Sequence, residues 1–108
     1  MENKLTFEEY SEFIHTTKIY PEEHNIIYPT LGLCGEAGEV AEKVKKYLRG
    51  DRDLDKLELL KEAGDCLWYL AAIASDLGFT LEEMANQNML KIIDRKQRNK
   101  IQGDGDNR

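Results

Sequence analysis

The chain has 108 residues, with 21 acidic against 15 basic side chains and a formal net charge of −6. That length bounds one domain, and the acidic balance excludes a nucleic-acid surface, although a phosphorylated small molecule remains accessible where metal ions carry the positive charge. No apolar run nears the roughly 20 residues of a membrane span, Met1-Glu2-Asn3-Lys4 lacks the apolar stretch of a signal peptide, and Cys34 and Cys66 show no metal-ligand spacing, so a reduced, cytoplasmic chain is expected.

The predicted elements are all helical. Thr6 and Glu9 form a capping box that opens a first helix running to about Lys18. Residues 19–28 read as a connection punctuated by Pro21, and Pro29 suits the first turn of a second helix. That helix reads Leu31 to Leu48 and stops at Gly50, with Lys45, Lys46 and Arg49 complementing its C-terminal dipole. After a charged turn, Asp53 or Asp55 caps a third helix that runs to Leu77 and ends at Gly78. Thr80 and Glu83 make a second capping box for a fourth helix reaching about Ile101. The expectation is one all-α domain over residues 1–102, followed by an irregular polar tail, 103–108. The tail is too rich in Gly and Asp for a helix and lacks the spaced acceptors of an EF-hand.

One pattern occurs twice: Glu36-Ala37-Gly38-Glu39 in the second helix and Glu62-Ala63-Gly64-Asp65 in the third. Three-residue spacing puts two acids on one stripe a turn apart, where like charges repel. A mid-helix glycine costs about 1 kcal/mol relative to alanine, and Gly35 adds another. The same local penalty incurred twice predicts two helices that approach closely and direct four carboxylates at one place, a donor set for a hard divalent cation. A single Glu-x-x-Glu is ordinarily a solvated face; the matched duplication argues for a site.

Helical periodicity places these acids. At roughly 100° per residue, Leu33, Ala37, Val40, Val44 and Tyr47 form one apolar stripe, and Leu59, Ala63, Cys66, Leu70, Ile73 and Leu77 another. Both pairs of acids lie at the margin of their stripe, so an antiparallel pair sets the margins across a cleft. The third helix is uncharged from Cys66 to Ala74, and a helix apolar all round is buried on more than one side. Trp68, Ala71, Ala72 and Ser75 make up its second face, expected to lie in a subunit interface or to be equally buried in another way. Cys34 and Cys66 read as small packing residues, His15 and His24 as structural or exposed, and Lys43, Lys45, Lys46 and Lys61 as surface charges. Asn88, Lys91 and Arg95 share one stripe of the fourth helix: either a solvated edge, or an amide and two cations for sugar and phosphate oxygens.

Three segments in order carry a resemblance: Leu31-Gly-Leu-Cys-Gly-Glu-Ala-Gly-Glu-Val-Ala-Glu-Lys43, Lys61-Glu-Ala-Gly-Asp-Cys-Leu-Trp-Tyr-Leu70, and Asn88-x-x-Lys91-x-x-x-Arg95. Together they resemble the MazG-type all-α nucleoside triphosphate pyrophosphohydrolases, and the Gly-Asp-Gly-Asp-Asn-Arg ending resembles that of short single-domain members. The family pattern, Glu-Glu-x-x-Glu then Glu-x-x-Asp, is matched at Glu36, Glu39, Glu62 and Asp65, while Gly35 stands where the pattern has its first acid.

The resemblance implies a four-helix bundle assembled as a homodimer or homotetramer. It implies magnesium as cofactor, with manganese the alternative ion, and Glu36, Glu39, Glu62 and Asp65 as metal-binding and catalytic residues. It implies a nucleoside triphosphate substrate, with a dNTP the leading candidate, cut to the monophosphate and pyrophosphate in nucleotide-pool house-cleaning. Tyr69, Asn88, Lys91 and Arg95 would contact that substrate. No Ser, Cys or His has the neighbours of an activated nucleophile, so direct attack by water is expected. The chain also lacks the Gly-x-x-x-x-Gly-Lys-Ser/Thr loop that cradles β- and γ-phosphates, which leaves the α-phosphorus as the point of attack. Two rival readings stand: an enzyme like phosphoribosyl-ATP pyrophosphohydrolase, and a non-catalytic metal- or nucleotide-binding helical module, which Gly35 keeps open.

Overall fold

The computed structural model describes residues 4–106 and 108. Met1–Asn3, on which part of the signal-peptide reading rests, and Asn107 of the polar tail lie outside the described residues. Four α-helices follow one another: α1 Phe7–His15, α2 Ile27–Leu48, α3 Lys56–Asp76 and α4 Leu81–Gln97, with a 3-10 turn at Glu22–His24 between α1 and α2. No strand occurs among the described residues, and no helix is long and apolar enough to cross a membrane.

Local chemistry sets most of the ends. Both capping boxes form: the Thr6 and Thr80 hydroxyls accept from the Glu9 and Glu83 N–H groups, and each glutamate accepts from its threonine's N–H. Asp55, not Asp53, caps α3 by accepting from the Glu58 N–H. Gly50 and Gly78, at φ 83° and 85°, end α2 and α3 in the left-handed conformation that glycine adopts without strain. The Asp51 N–H then bonds back to the Lys46 carbonyl, and the Phe79 N–H to that of Ala74, both at 2.9 Å.

Three boundaries differ from expectation. α1 stops at His15, short of Lys18, because the Thr16 and Thr17 hydroxyls donate to the Phe13 and Ile14 carbonyls and compete with a further turn. α4 stops at Gln97, short of Ile101, where Asn99 adopts φ 59° and the Lys100 N–H closes onto the Arg95 carbonyl, the asparagine counterpart of a glycine cap. α2 starts early, at Ile27, through a tertiary tie described below.

α3 is the central element. α2 lies along it in the most extensive helix pair, while α1 and α4 pack against α3 and each other. The core is the cluster of Ile14, Ala71, Ala72 and Leu81, with Tyr10, Trp68 and Met84 packed on it. This core differs in part from the expected arrangement. The second face of α3 at Trp68, Ala71, Ala72 and Ser75 is covered by α1 and α4 of the same chain, the second of the two covers expected for it. Of the two stripes expected to form the core, no residue is buried, and Val44, Tyr47 and Leu77 are exposed. The physical reason is thickness: along most of its length the α2–α3 hairpin is only two helices deep.

The glycines are also corrected. A Cβ at Gly35, Gly38 or Gly64 would meet nothing within 4 Å, so none serves close approach of α2 and α3 in this chain. At Gly32 it would overlap the Tyr69 ring.

Candidate active site

The short turn 49–55 folds α3 back on α2 and sets Glu36 opposite Glu62 and Asp65. One carboxylate oxygen from each lies within 4.8 Å of the others. Glu36 and Glu62 are half-buried and Asp65 is exposed. The Oε2 atoms of Glu36 and Glu62 are buried and have no hydrogen-bond partner among the described residues, although buried carboxylate oxygens ordinarily have one. Burial and the neighbouring charges of Glu39, Asp65 and Glu62 push the Glu36 carboxyl above the usual range. Oxygen donors without protein partners, in a surplus of negative charge, are the donor set of magnesium, so the residues fit the ion. Glu39 is exposed and interacts with Glu36, but stands outside the tight triad.

Among the described residues, one cation attends the cluster. Lys43 Nζ lies 3.9 Å from Glu62 and 2.7 Å from Glu58, which also accepts from Arg52 at 2.9 Å. Lys43, read from sequence as a surface charge, thus anchors the flank of Glu62.

Beside the acids opens a cavity of about 380 Å³, which Glu36 and Asp65 line together with Thr17, Tyr20, Tyr28, Trp68 and Tyr69. Tyr20 stacks on Tyr28 with ring centroids 4.9 Å apart, and Trp68 meets Tyr69 edge-on at 5.1 Å. Burial, with Tyr28, Glu36 and Asp65 nearby, raises the Tyr69 phenol, which therefore keeps its proton as a donor. Burial and the charges of Glu36 and Asp65 likewise raise the Cys66 thiol, the reverse of what an activated nucleophile requires.

The remaining sequence candidates lie elsewhere. α4 contributes nothing to the cavity lining. Asn88 is exposed on it, and Lys91 and Arg95 instead bind the Asp106 carboxylate at 3.2 and 3.3 Å, Arg95 also donating to the Asp106 carbonyl at 2.8 Å. Sequence reasoning missed Thr17 and Tyr20, in the connection between α1 and α2, and Tyr28, in the first turn of α2. It also missed Gly32, whose lack of a side chain admits the Tyr69 ring. The only local signal was the placing of Ile19, Tyr20 and Tyr28 around Pro21 in a segment that solvent would otherwise surround.

An all-helical chain that gathers acids from two helices beside an aromatic cavity belongs to the class of helical carboxylate-site proteins. Residues 21–99 match the MazG nucleotide pyrophosphohydrolase domain, and the chain belongs to that family. It is also 43% identical over 103 residues to the Gene 37 protein of Mycobacterium phage L5, covering 85% of this chain and 90% of that relative. No solved structure matches it significantly.

Proposed function

We propose that the chain hydrolyses a nucleoside triphosphate, a dNTP foremost, to the nucleoside monophosphate and pyrophosphate, and so clears nucleotides from the pool. The observation that carries this reading is the pair of buried, unpartnered carboxylate oxygens of Glu36 and Glu62 converging with Asp65 at the edge of an aromatic cavity.

Glu36, Glu62 and Asp65 would hold magnesium. When bound, the ion supplies charge neutralisation for the triphosphate and the departing pyrophosphate. Glu39, exposed beside Glu36 but outside the triad, is free to hold the attacking water and take its proton as general base. The rings of Tyr28, Trp68 and Tyr69 offer flat apolar surface for the base, with the protonated Tyr69 hydroxyl as donor. Hydrolysis in oxygen-18 water tests the reaction: label in the monophosphate supports attack at the α-phosphorus, and labelled orthophosphate with a diphosphate refutes it. A panel that includes dNTPs, NTPs and phosphoribosyl-ATP identifies the substrate.

The same reading includes a homo-oligomer, supported by surface and shape. The chain exposes 8555 Å², roughly 2,400 Å² more than a compact monomer of its mass, an excess on the scale of obligate interfaces. Its radius of gyration is 16.7 Å, against about 13 Å for a compact domain of this length. Leu31, Leu48, Leu57 and Leu60 are each more than half exposed along the α2–α3 hairpin. Because α4 does not line the cavity of its own chain, we assign Asn88, Lys91 and Arg95 to the site of a second copy. There, phosphate oxygens would take the place of the Asp106 carboxylate on the two cations.

A further inference from the structure

The connection between α1 and α2 is tied to the body of the protein at one buried point. The Asp76 side chain is fully buried. Its carboxylate accepts from Lys18 Nζ, from the Tyr20 hydroxyl at 2.8 Å and from the Ile26 N–H at 2.8 Å. These three donors span the connection from one end to the other, so one carboxylate folds the whole strap down.

Two further features mark the strap as held rather than relaxed. Ile26 sits at φ 69° and ψ −49°, a positive-φ conformation that a β-branched residue rarely adopts. Such strain persists only where the surroundings over-determine it, and it gathers at functional sites. Among the described residues no side chain caps α2, which leaves the Asp76–Ile26 bond as the fixed point at which that helix begins. The far end of the strap is pinned to the cavity itself: Trp68 Nε1 donates to the Thr17 hydroxyl at 2.9 Å. Thr17, Ile19, Tyr20 and Tyr28 form one wall of the cavity that also holds Glu36 and Asp65.

We infer that Asp76 is a positioning residue for substrate: it does not itself line the cavity, but through Tyr20 it closes the strap that forms the cavity wall. The inference rests on the nucleotide-hydrolase reading above for the identity of the substrate, not for the tie itself. It predicts a particular division of effects. Glu36 stands more than two turns beyond the start of α2, and Glu62 and Asp65 stand on α3, so opening the strap weakens binding and leaves the chemical step alone.

The test compares Asp76→Asn, Tyr20→Phe and Asp76→Asn/Ile26→Gly in the full chain, with helicity checked by circular dichroism. Asp76→Asn keeps the shape but replaces one acceptor oxygen by a donor facing other donors. Its KM should rise roughly tenfold with kcat held within about twofold, and Tyr20→Phe, which removes one bond of three, should fall between it and wild type. Adding Ile26→Gly lifts the backbone strain that the tie offsets, so the double variant should recover much of the lost affinity. A purely structural role would not give that rescue.

A second readout needs no nucleotide. Trp68 is the only tryptophan, so acrylamide quenching of its emission reports the strap and should increase in both single variants. Unchanged quenching and unchanged KM in a folded Asp76→Asn would overturn the inference. If that variant fails to fold, the same null result in Tyr20→Phe does so. A wild-type chain that turns over no nucleotide refutes the functional reading instead, and the quenching measurement then decides the strap separately.

Discussion

Adding one methyl group at two positions of α2 separates packing from propensity. Gly38→Ala places a Cβ in open space, so it should stabilise the chain by about 0.5–1 kcal/mol through helix propensity alone. Gly32→Ala brings the same gain, but its Cβ overlaps the Tyr69 ring, and overpacking of that kind costs about 1–3 kcal/mol. Tyr69 is half-buried, so part of the overlap is relieved by moving the ring toward the cavity. The two variants should therefore differ by about 1–3 kcal/mol, which in a domain of this size is a Tm difference of about 5–20 °C. Thermal melts followed by circular dichroism at one fixed protein concentration measure it, because assembly would otherwise shift Tm with concentration. Gly32→Ala should also raise KM, since the displaced ring enters the cavity. Equal stabilisation by both substitutions would refute the reasoning and detach Tyr69 from α2.

Burial and neighbouring carboxylates hold the Glu36 pKa above the usual range, so the folded chain binds that proton more tightly than the unfolded chain. Its contribution is complete below the ordinary glutamate pKa and lost as pH rises through the raised value; the metal-free Tm should fall across that window, and Glu36→Gln should flatten the slope. Magnesium at a hundredfold excess over its Kd should return about 2.7 kcal/mol at high pH, and the Glu36→Gln and Asp65→Asn variants should lose most of that shift in calorimetry. Asp76 has the opposite sign: burial alone would raise its pKa, but Lys18, the Ile26 N–H and Tyr20 outweigh it and hold the carboxyl below the usual aspartate range. Its stabilisation is present above the ordinary aspartate pKa and lost as pH falls through the depressed value, so Asp76→Asn should remove that part of the acid limb in pH-dependent unfolding. Finally, mixing inactive Asp65→Asn with Lys91→Gln under subunit exchange should restore about a quarter of wild-type activity, the statistical share of intact sites in a dimer; no recovery would show that α4 serves its own chain or none.

Much of the fold is written locally. Thr6 with Glu9, Thr80 with Glu83, Asp55, Gly50 and Gly78 each act on backbone groups a few residues away, and each is visible without tertiary knowledge. α1 was read too long because the Thr16 and Thr17 hydroxyls can either face solvent or bond back to carbonyls, and the sequence does not choose. The duplicated acidic motif was legible for a similar reason. Its spacing fixes which side chains share a helix face, and a single hairpin then suffices to gather Glu36, Glu62 and Asp65.

What depended on tertiary structure is everything decided by a partner far along the chain. Periodicity gave α3 two apolar faces but not which one α1 and α4 would cover. Three of the glycines looked like packing residues, yet the one that matters is Gly32, because Tyr69 happens to lie across it. Asp76 showed no pattern at all; its role comes from Lys18, Tyr20 and Ile26, some fifty residues earlier. Propensity, capping and periodicity act over one or two helical turns, so a sequence determines its helices and the faces they offer. Which faces meet, and which lone carboxylate ends up buried among three donors, is decided only when the helices dock.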